Sequence, residues 1–218
     1  MHKISQSAKI VVLISGGGSN LQSIIDACQS QFIKGHIQRV ISNRPHAFGL
    51  ERARQAGIET RCIDHTHFDS RQAFDAELLR IILEVRPDIV VLAGFMRILT
   101  AEFVNNFEGK LLNIHPSLLP NYPGLNTHQR AIDDQQKEGG VTVHFVTAEL
   151  DGGPSILQAR VTIESTDDAK SLAAKVLLEE HKIYPQVLSW LADGRLSLID
   201  GDAYFDQRKL PTEGYRDD

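Results

Sequence analysis

The sequence predicts an α/β fold: one Rossmann-like domain whose mixed, mainly parallel twisted sheet is flanked by helices, with its last strands antiparallel. Three observations predict it. Short apolar runs rich in β-branched residues alternate with stretches of helical period. The first run, Ile10–Ile14, is continuously apolar, as in a strand buried on both faces. Near the other end, two strands are separated only by the turn Asp151-Gly152-Gly153-Pro154, too short a link for a parallel pair.

In chain order, Ile10–Ile14 ends at Ser15-Gly16-Gly17-Gly18-Ser19-Asn20, and a helix follows in which Leu21, Ile24, Ile25 and Cys28 form one apolar stripe. The pattern repeats as a strand at Ile37–Ile41, a helix at Ala47–Ala56 closed by Gly57, and a short strand at Glu59–Ile63. A helix over Asp69–Glu84, capped by Asp69 or Ser70, leads to the strand Asp88–Ala93. Strands alternating with helices of this length imply right-handed crossovers. Leu111–Ile114 is the next strand, and a proline-rich loop follows at His115–Gly124. Val141–Val146 alternates like a half-exposed strand and is expected to pair with Ser155–Val161. A long helical pattern from Asp168 to Ala192 is expected to bend or break at Pro185 and ends at Gly194. Leu196–Ile199 reads as a short edge strand, and the polar segment from about residue 207 to 218 as a mobile tail.

The chain has 218 residues, 42% hydrophobic and 23% charged, which excludes a peptide, a fibre or a disordered tail. No repeat or linker divides it, so one domain over residues 1–218 is expected. The net charge of -5, from 23 basic against 28 acidic residues, argues against sequence-independent binding to nucleic acid. It leaves room for a small anionic ligand, because backbone N–H groups at a helix start hold a phosphate locally. The apolar run after the polar N-terminus is too short for a signal or a membrane span. Cys28 and Cys62 are widely separated and lack a C-x-x-C neighbour, so neither a disulfide framework nor a thiolate zinc site is expected. A cytoplasmic location follows from these features.

Four stretches carry candidate chemistry. The turn Gly16-Gly17-Gly18-Ser19-Asn20, between the first strand and helix, suits an anion, although its spacing matches neither a Walker loop nor the dinucleotide fingerprint. A turn that merely needs glycine is the alternative. In Asn113-Ile114-His115-Pro116 a period of two places Asn113 and His115 on the same side of a strand end. An amide beside an imidazole suits a developing oxyanion and a proton transfer; a locally satisfied pair is the alternative. Asp151 either bonds its own turn or, if brought beside His115, orients that ring and favours its charged form. Met96-Arg97-Ile98-Leu99 reads as the wall of a pocket at the carboxyl edge of the sheet. His65-Thr66-His67 lacks a third ligand for a metal and reads as an exposed loop, and His144 reads as structural. His128 and His181 fall on helical stretches with no role assigned.

Asn113-Ile114-His115-Pro116-Ser117-Leu118-Leu119-Pro120, taken with Ser15 to Gln22 and Asp151 to Pro154, resembles the folate-dependent formyltransferases. Ala93 to Leu99, Tyr122-Pro123-Gly124, Glu180-His181 and Tyr184-Pro185 extend the likeness over nearly the whole chain. The resemblance implies transfer of the formyl group of 10-formyltetrahydrofolate, as co-substrate, to the amino group of glycinamide ribonucleotide, a step of purine synthesis that needs no metal. It implies that Asn113, His115 and Asp151 are catalytic, and that Gly18, Ser19, Asn20 and Glu180 hold the ribonucleotide. Arg71, Met96, Arg97, Ile98, Leu99 and Asn113 would hold the folate. The partners implied are these two small molecules, with no nucleic acid and no membrane.

The chain departs from the family pattern at Asn126, where a histidine is common, and at Gly17, where a bulkier residue is frequent. The alternatives within the same chemistry are a formyltransferase acting on methionyl-tRNA, which would need a further basic domain, and a formyltetrahydrofolate hydrolase, which typically has an added regulatory domain. A non-catalytic nucleotide sensor is the alternative outside it, and such a sensor has no use for the Asn113, His115 and Asp151 trio.

Overall fold

The computed structural model describes residues 7–217. Its main sheet is built on β1 (Ala8–Ile14), which pairs in parallel with β2 (Gly35–Ser42) on one side and β4 (Ile89–Leu92) on the other. Beyond β2 lies β3 (Glu59–Cys62), and beyond β4 lies β5 (Leu111–His115), both parallel. Then β6 (Glu138–Phe145) runs antiparallel to β5 and to β7 (Ser155–Thr162), as the short connecting turn requires. The chain leaves β1 toward β2 and β3 and then returns to β4 on the opposite side. This reversal opens a crevice at the carboxyl ends of β1, β4 and β5, where ligands of open α/β sheets bind.

Both faces of β1 are buried, which accounts for its unbroken apolar run. Ile10, Val12 and Ile14 meet α1 (Ser19–Gln29) and α2 (Phe48–Gln55) on one side, with α6 (Ala169–Ala192) completing that layer. Val11 and Leu13 meet α3 (Arg71–Leu83) and α4 (Ala101–Asn105) on the other. Each such fully buried Ile, Val or Leu contributes about 1.5–3 kcal/mol of transfer free energy. In α1 the buried Leu21, Ile24 and Ile25 are the predicted stripe. Ser70, one of the two expected caps, accepts from the Ala73 N–H at 3.1 Å and starts α3.

Several expectations are corrected or refined. α6 continues through Pro185 without the break that was one of the two expected outcomes, because Ile183, Tyr184, Val187 and Leu188 around it are buried in the core. β6 is buried from Gly140 to Phe145 instead of half exposed, and its polar Thr142 and His144 face other buried polar groups. Leu196–Ile199 is β8, a short edge strand as expected, and the sheet it edges is a separate antiparallel one with β9 (Asp202–Phe205) and β10 (Arg208–Lys209). The expected tail carries β10 and β11 (Tyr215–Asp217); β11 adds an eighth strand to the main sheet beside β7, and Phe205 and Tyr215 pack on Trp190. The helical stretch expected around His128 is the short helix α5 (Thr127–Asp133), and α4 stands where no element was delimited. Residue 218 lies outside the described residues.

No helix among the described residues is long and apolar enough to cross a membrane.

Candidate active site

Three strand ends supply the site. The turn after β1 carries Gly16 to Asn20, the segment after β4 runs from Ala93 to Leu99, and β5 ends in Asn113, Ile114 and His115. The Met96 N–H donates to Ser15 Oγ at 2.8 Å, and Ser15 Oγ donates to Asn43 Oδ1 at 2.5 Å, so the first two segments are locked together.

Asp151 reaches His115 as the resemblance implies. Its turn closes tightly on β6, because a Cβ at Gly153 would collide with the Phe145 carbonyl. Asp151 itself adopts the left-handed region, with φ at 52°. The result places Asp151 Oδ2 3.4 Å from His115 Nδ1, with side chains 8% and 7% exposed. The Gly124 N–H donates to the same oxygen at 2.9 Å. On the far side of the ring, His115 Nε2 donates to the Tyr122 carbonyl at 2.9 Å. Both ring nitrogens therefore face acceptors, and the ring is held between them in one orientation.

Asn113 has a partner that the sequence did not disclose. The register of β5 and β6 sets it opposite His144, and its amide Nδ2 lies 3.1 Å from His144 Nε2. His144 is buried, and burial pushes its pKa down to about 4 against the opposing influence of the Phe145 carbonyl and of Asp151. The neutral ring carries its proton on Nδ1, which donates to the Phe145 carbonyl at 2.8 Å, and its bare Nε2 accepts from Asn113. This fixes the orientation of the Asn113 amide and leaves its second N–H free. A lone histidine on an alternating strand gave no signal of this; only the non-local strand register does.

Two hollows flank the Ala93 to Leu99 segment. One, about 100 Å³, is lined by Arg97, Ile98, Leu99, Asn113, His144 and Asp151, among others. The second, about 310 Å³, is lined by the turn from Ser15 to Asn20, with Arg44, Gly94 and Met96. Met96 thus faces the second hollow and not the first, to which its neighbours belong. Arg71 lines neither; it stands at the exposed start of α3, close enough to Asp75 to act on its carboxyl together with Arg97. The Arg97 guanidinium lies over the Phe74 ring at 5.2 Å. His115 lines neither hollow, being covered by the Tyr122 carbonyl.

At the turn, Gly18 is the N-cap of α1 with φ at 73°, and a Cβ there would meet Gly49 Cα at 2.7 Å. The left-handed backbone and the close approach of α2 both call for glycine here. Gly16 and Gly17 have open space where a Cβ would stand, so a side chain at the second is tolerated where the family often has one. Asn126, the other departure, is the left-handed N-cap of α5 with φ at 58°, a conformation that asparagine adopts more readily than most residues. Asn20 donates from Nδ2 to Glu180 Oε2 at 2.6 Å, joining α1 to α6. Burial raises the pKa of Glu180, and the Asn20 hydrogen bond opposes that rise. His65 bonds Asn43 and stands away from any third ligand; among the described residues no group of three metal-binding side chains gathers.

Residues 8–188 match the family model described as formyl transferase. The chain is 56% identical over 209 residues to the phosphoribosylglycinamide formyltransferase of Escherichia coli (strain K12), covering 96% of this chain and 99% of that protein. It is 48% identical over 194 residues to the trifunctional purine biosynthetic protein adenosine-3 of Drosophila melanogaster, covering 88% of this chain and 14% of that longer protein. Its fold superposes with a TM-score of 0.93 on the phosphoribosylglycinamide formyltransferase of Coxiella burnetii solved in complex with CHES, at 48% identity and 97% and 99% coverage of the two chains. With an Asn, His and Asp trio gathered at one end of the sheet, a family model matched over residues 8–188, and nearly full-length likeness to the Escherichia coli and Coxiella burnetii proteins, the chain belongs to the formyl transferase family.

Proposed function

We propose that the chain transfers the formyl group of 10-formyltetrahydrofolate to the amino group of glycinamide ribonucleotide, acting in the cytoplasm as a single domain on two small molecules. The observation that carries this is the buried His115 and Asp151 pair beside an Asn113 whose amide is held in one orientation. The turn from Gly18 to Asn20, with Glu180, takes the ribonucleotide; the hollow lined by Arg97, Ile98 and Leu99 takes the folate, with Arg71 at its approach and Met96 on the ribonucleotide side.

The chemistry then follows. The neutral amine attacks the formyl carbon, and the carbonyl oxygen becomes an oxyanion. The free N–H of Asn113 and the His115 imidazolium stabilise it, and Asp151 orients that ring and stands beside it as a counter-charge. Collapse breaks the bond from carbon to the folate nitrogen, which takes up one proton while the attacking amine loses one. His115 Nε2 becomes available only when the Tyr122 carbonyl gives up its hydrogen bond, so the loop from Pro116 to Gly124 governs access to the acid.

The test is to follow release of tetrahydrofolate from 10-formyltetrahydrofolate with and without glycinamide ribonucleotide. Release that requires the ribonucleotide is the expected result. Equal release in water alone would replace transfer by hydrolysis, and no release under either condition would leave a binding module.

A further inference from the structure

We infer that Arg44 is the side chain that reads the phosphate of the ribonucleotide, an inference that rests on the proposed assignment of the glycine turn to that substrate. Arg44 follows the end of β2 and lines the hollow beside the turn, where it is the one charged residue on the wall. Its backbone is pinned by Ser42, whose Oγ accepts from the Arg44 N–H at 3.0 Å and donates to the Arg44 carbonyl at 2.9 Å. Its guanidinium has no hydrogen bond or ion pair to any other described residue. The nearby Arg52 is already engaged: it donates to the Gly17 carbonyl at 2.9 Å and to Gln22 Oε1 at 3.2 Å, and lies over the Phe48 ring. One arginine thus braces the turn, and the other is left free beside it.

Two further observations bear on how an anion is held in that hollow. α1 begins without a side-chain cap and without an acidic residue in its first turn, so its leading N–H groups keep their capacity for an anion. Asn20, only 8% exposed, lines the same hollow, but its Nδ2 is taken by Glu180 and its Oδ1 only accepts, so its side chain leaves the anion to the helix N–H groups and Arg44. A phosphate monoester is close to a dianion at neutral pH, whereas a helix start offers only about half an elementary charge. The remaining charge calls for a cation, and a guanidinium fork matches phosphate oxygens two at a time.

The experiment measures kcat and KM of the full chain and of Arg44→Gln and Arg44→Lys, using glycinamide ribonucleotide and the same compound without its phosphate. In Arg44→Gln the ribonucleotide KM is expected to rise about 10- to 100-fold with kcat nearly unchanged, the range for losing one charge-assisted contact. The KM for the unphosphorylated acceptor stays as it was, Arg44→Lys recovers part of the loss, and added salt raises KM less steeply in Arg44→Gln than in the unaltered chain. An unchanged ribonucleotide KM in Arg44→Gln, or an equal rise for both acceptors, would overturn the role of Arg44 while leaving the turn's assignment intact. If the unaltered chain does not distinguish the two acceptors, the assignment of the turn fails and this inference with it.

Discussion

Asp151 Oδ2 lies 3.4 Å from His115 Nδ1, in a place where neither side chain has more than a tenth of its surface in water. A carboxylate so placed acts through its charge more than through its shape. Asp151→Asn keeps the volume and an acceptor for the Gly124 N–H, yet removes the counter-charge of the imidazolium. Turnover at saturating substrates is expected to fall at least about a hundredfold, as is turnover in His115→Ala, while circular dichroism stays unchanged. Near-normal turnover in a folded His115→Ala protein would remove His115 from the chemistry.

His144 positions Asn113 and does not itself exchange protons near neutral pH, because burial holds its pKa at about 4. His144→Ala frees the Asn113 amide to rotate and is expected to lower kcat about tenfold, with a smaller effect on KM for either substrate. The sign of the pH effect on stability follows from the lowered pKa. The stability that neutral His144 contributes is complete above the unfolded value near 6.5 and is lost as pH falls toward 4. Chemical denaturation in that window is expected to show a shallower acid loss in His144→Gln than in the unaltered chain.

Glu180 behaves in the opposite sense. Its raised pKa means that burying its charge costs stability, which is complete at low pH and declines as pH rises through the folded value. Glu180→Gln is expected to raise Tm at neutral pH by a few degrees, on the scale of about 2–4 °C per kcal/mol for a chain of this size, while weakening ribonucleotide binding. Thermal melts at pH 4 and pH 8, paired with titration of the ribonucleotide, check both halves.

The glycines of the turn are expected to separate cleanly. Gly18→Val is incompatible with the left-handed backbone and with Gly49 at its side, so it destabilises the fold and harms both ligands together. Gly17→Asn enters open space and leaves stability and KM close to those of the unaltered chain. Melting temperatures and both KM values for the two variants decide this.

Much of the layer order was legible because it rests on local pattern. The continuous run in β1 reports two covered faces, and Asn113 and His115 share a side by period alone. What local pattern does not carry is pairing between distant segments. His144 meets Asn113 only through the β5 and β6 register, and β11 joins the main sheet only because the chain returns to β7. Of the bend or break expected at Pro185, the break does not occur for a related reason, since tertiary packing around Tyr184 outweighs the lost backbone donor. The close approach of Gly18 to Gly49 of α2 is likewise a contact between distant segments, which the glycine run alone does not reveal. The roles of Glu180 and Arg71 came from resemblance alone, because a carboxylate on a helix and an arginine at a helix start look the same with or without a ligand.

The most direct test of the central claim follows an isotopically labelled formyl carbon from 10-formyltetrahydrofolate during turnover with glycinamide ribonucleotide. The account predicts that the label appears on the amine of the ribonucleotide, one equivalent for each tetrahydrofolate released, and that Asp151→Asn slows its appearance without diverting it. Label recovered as formate in the unaltered protein would contradict it.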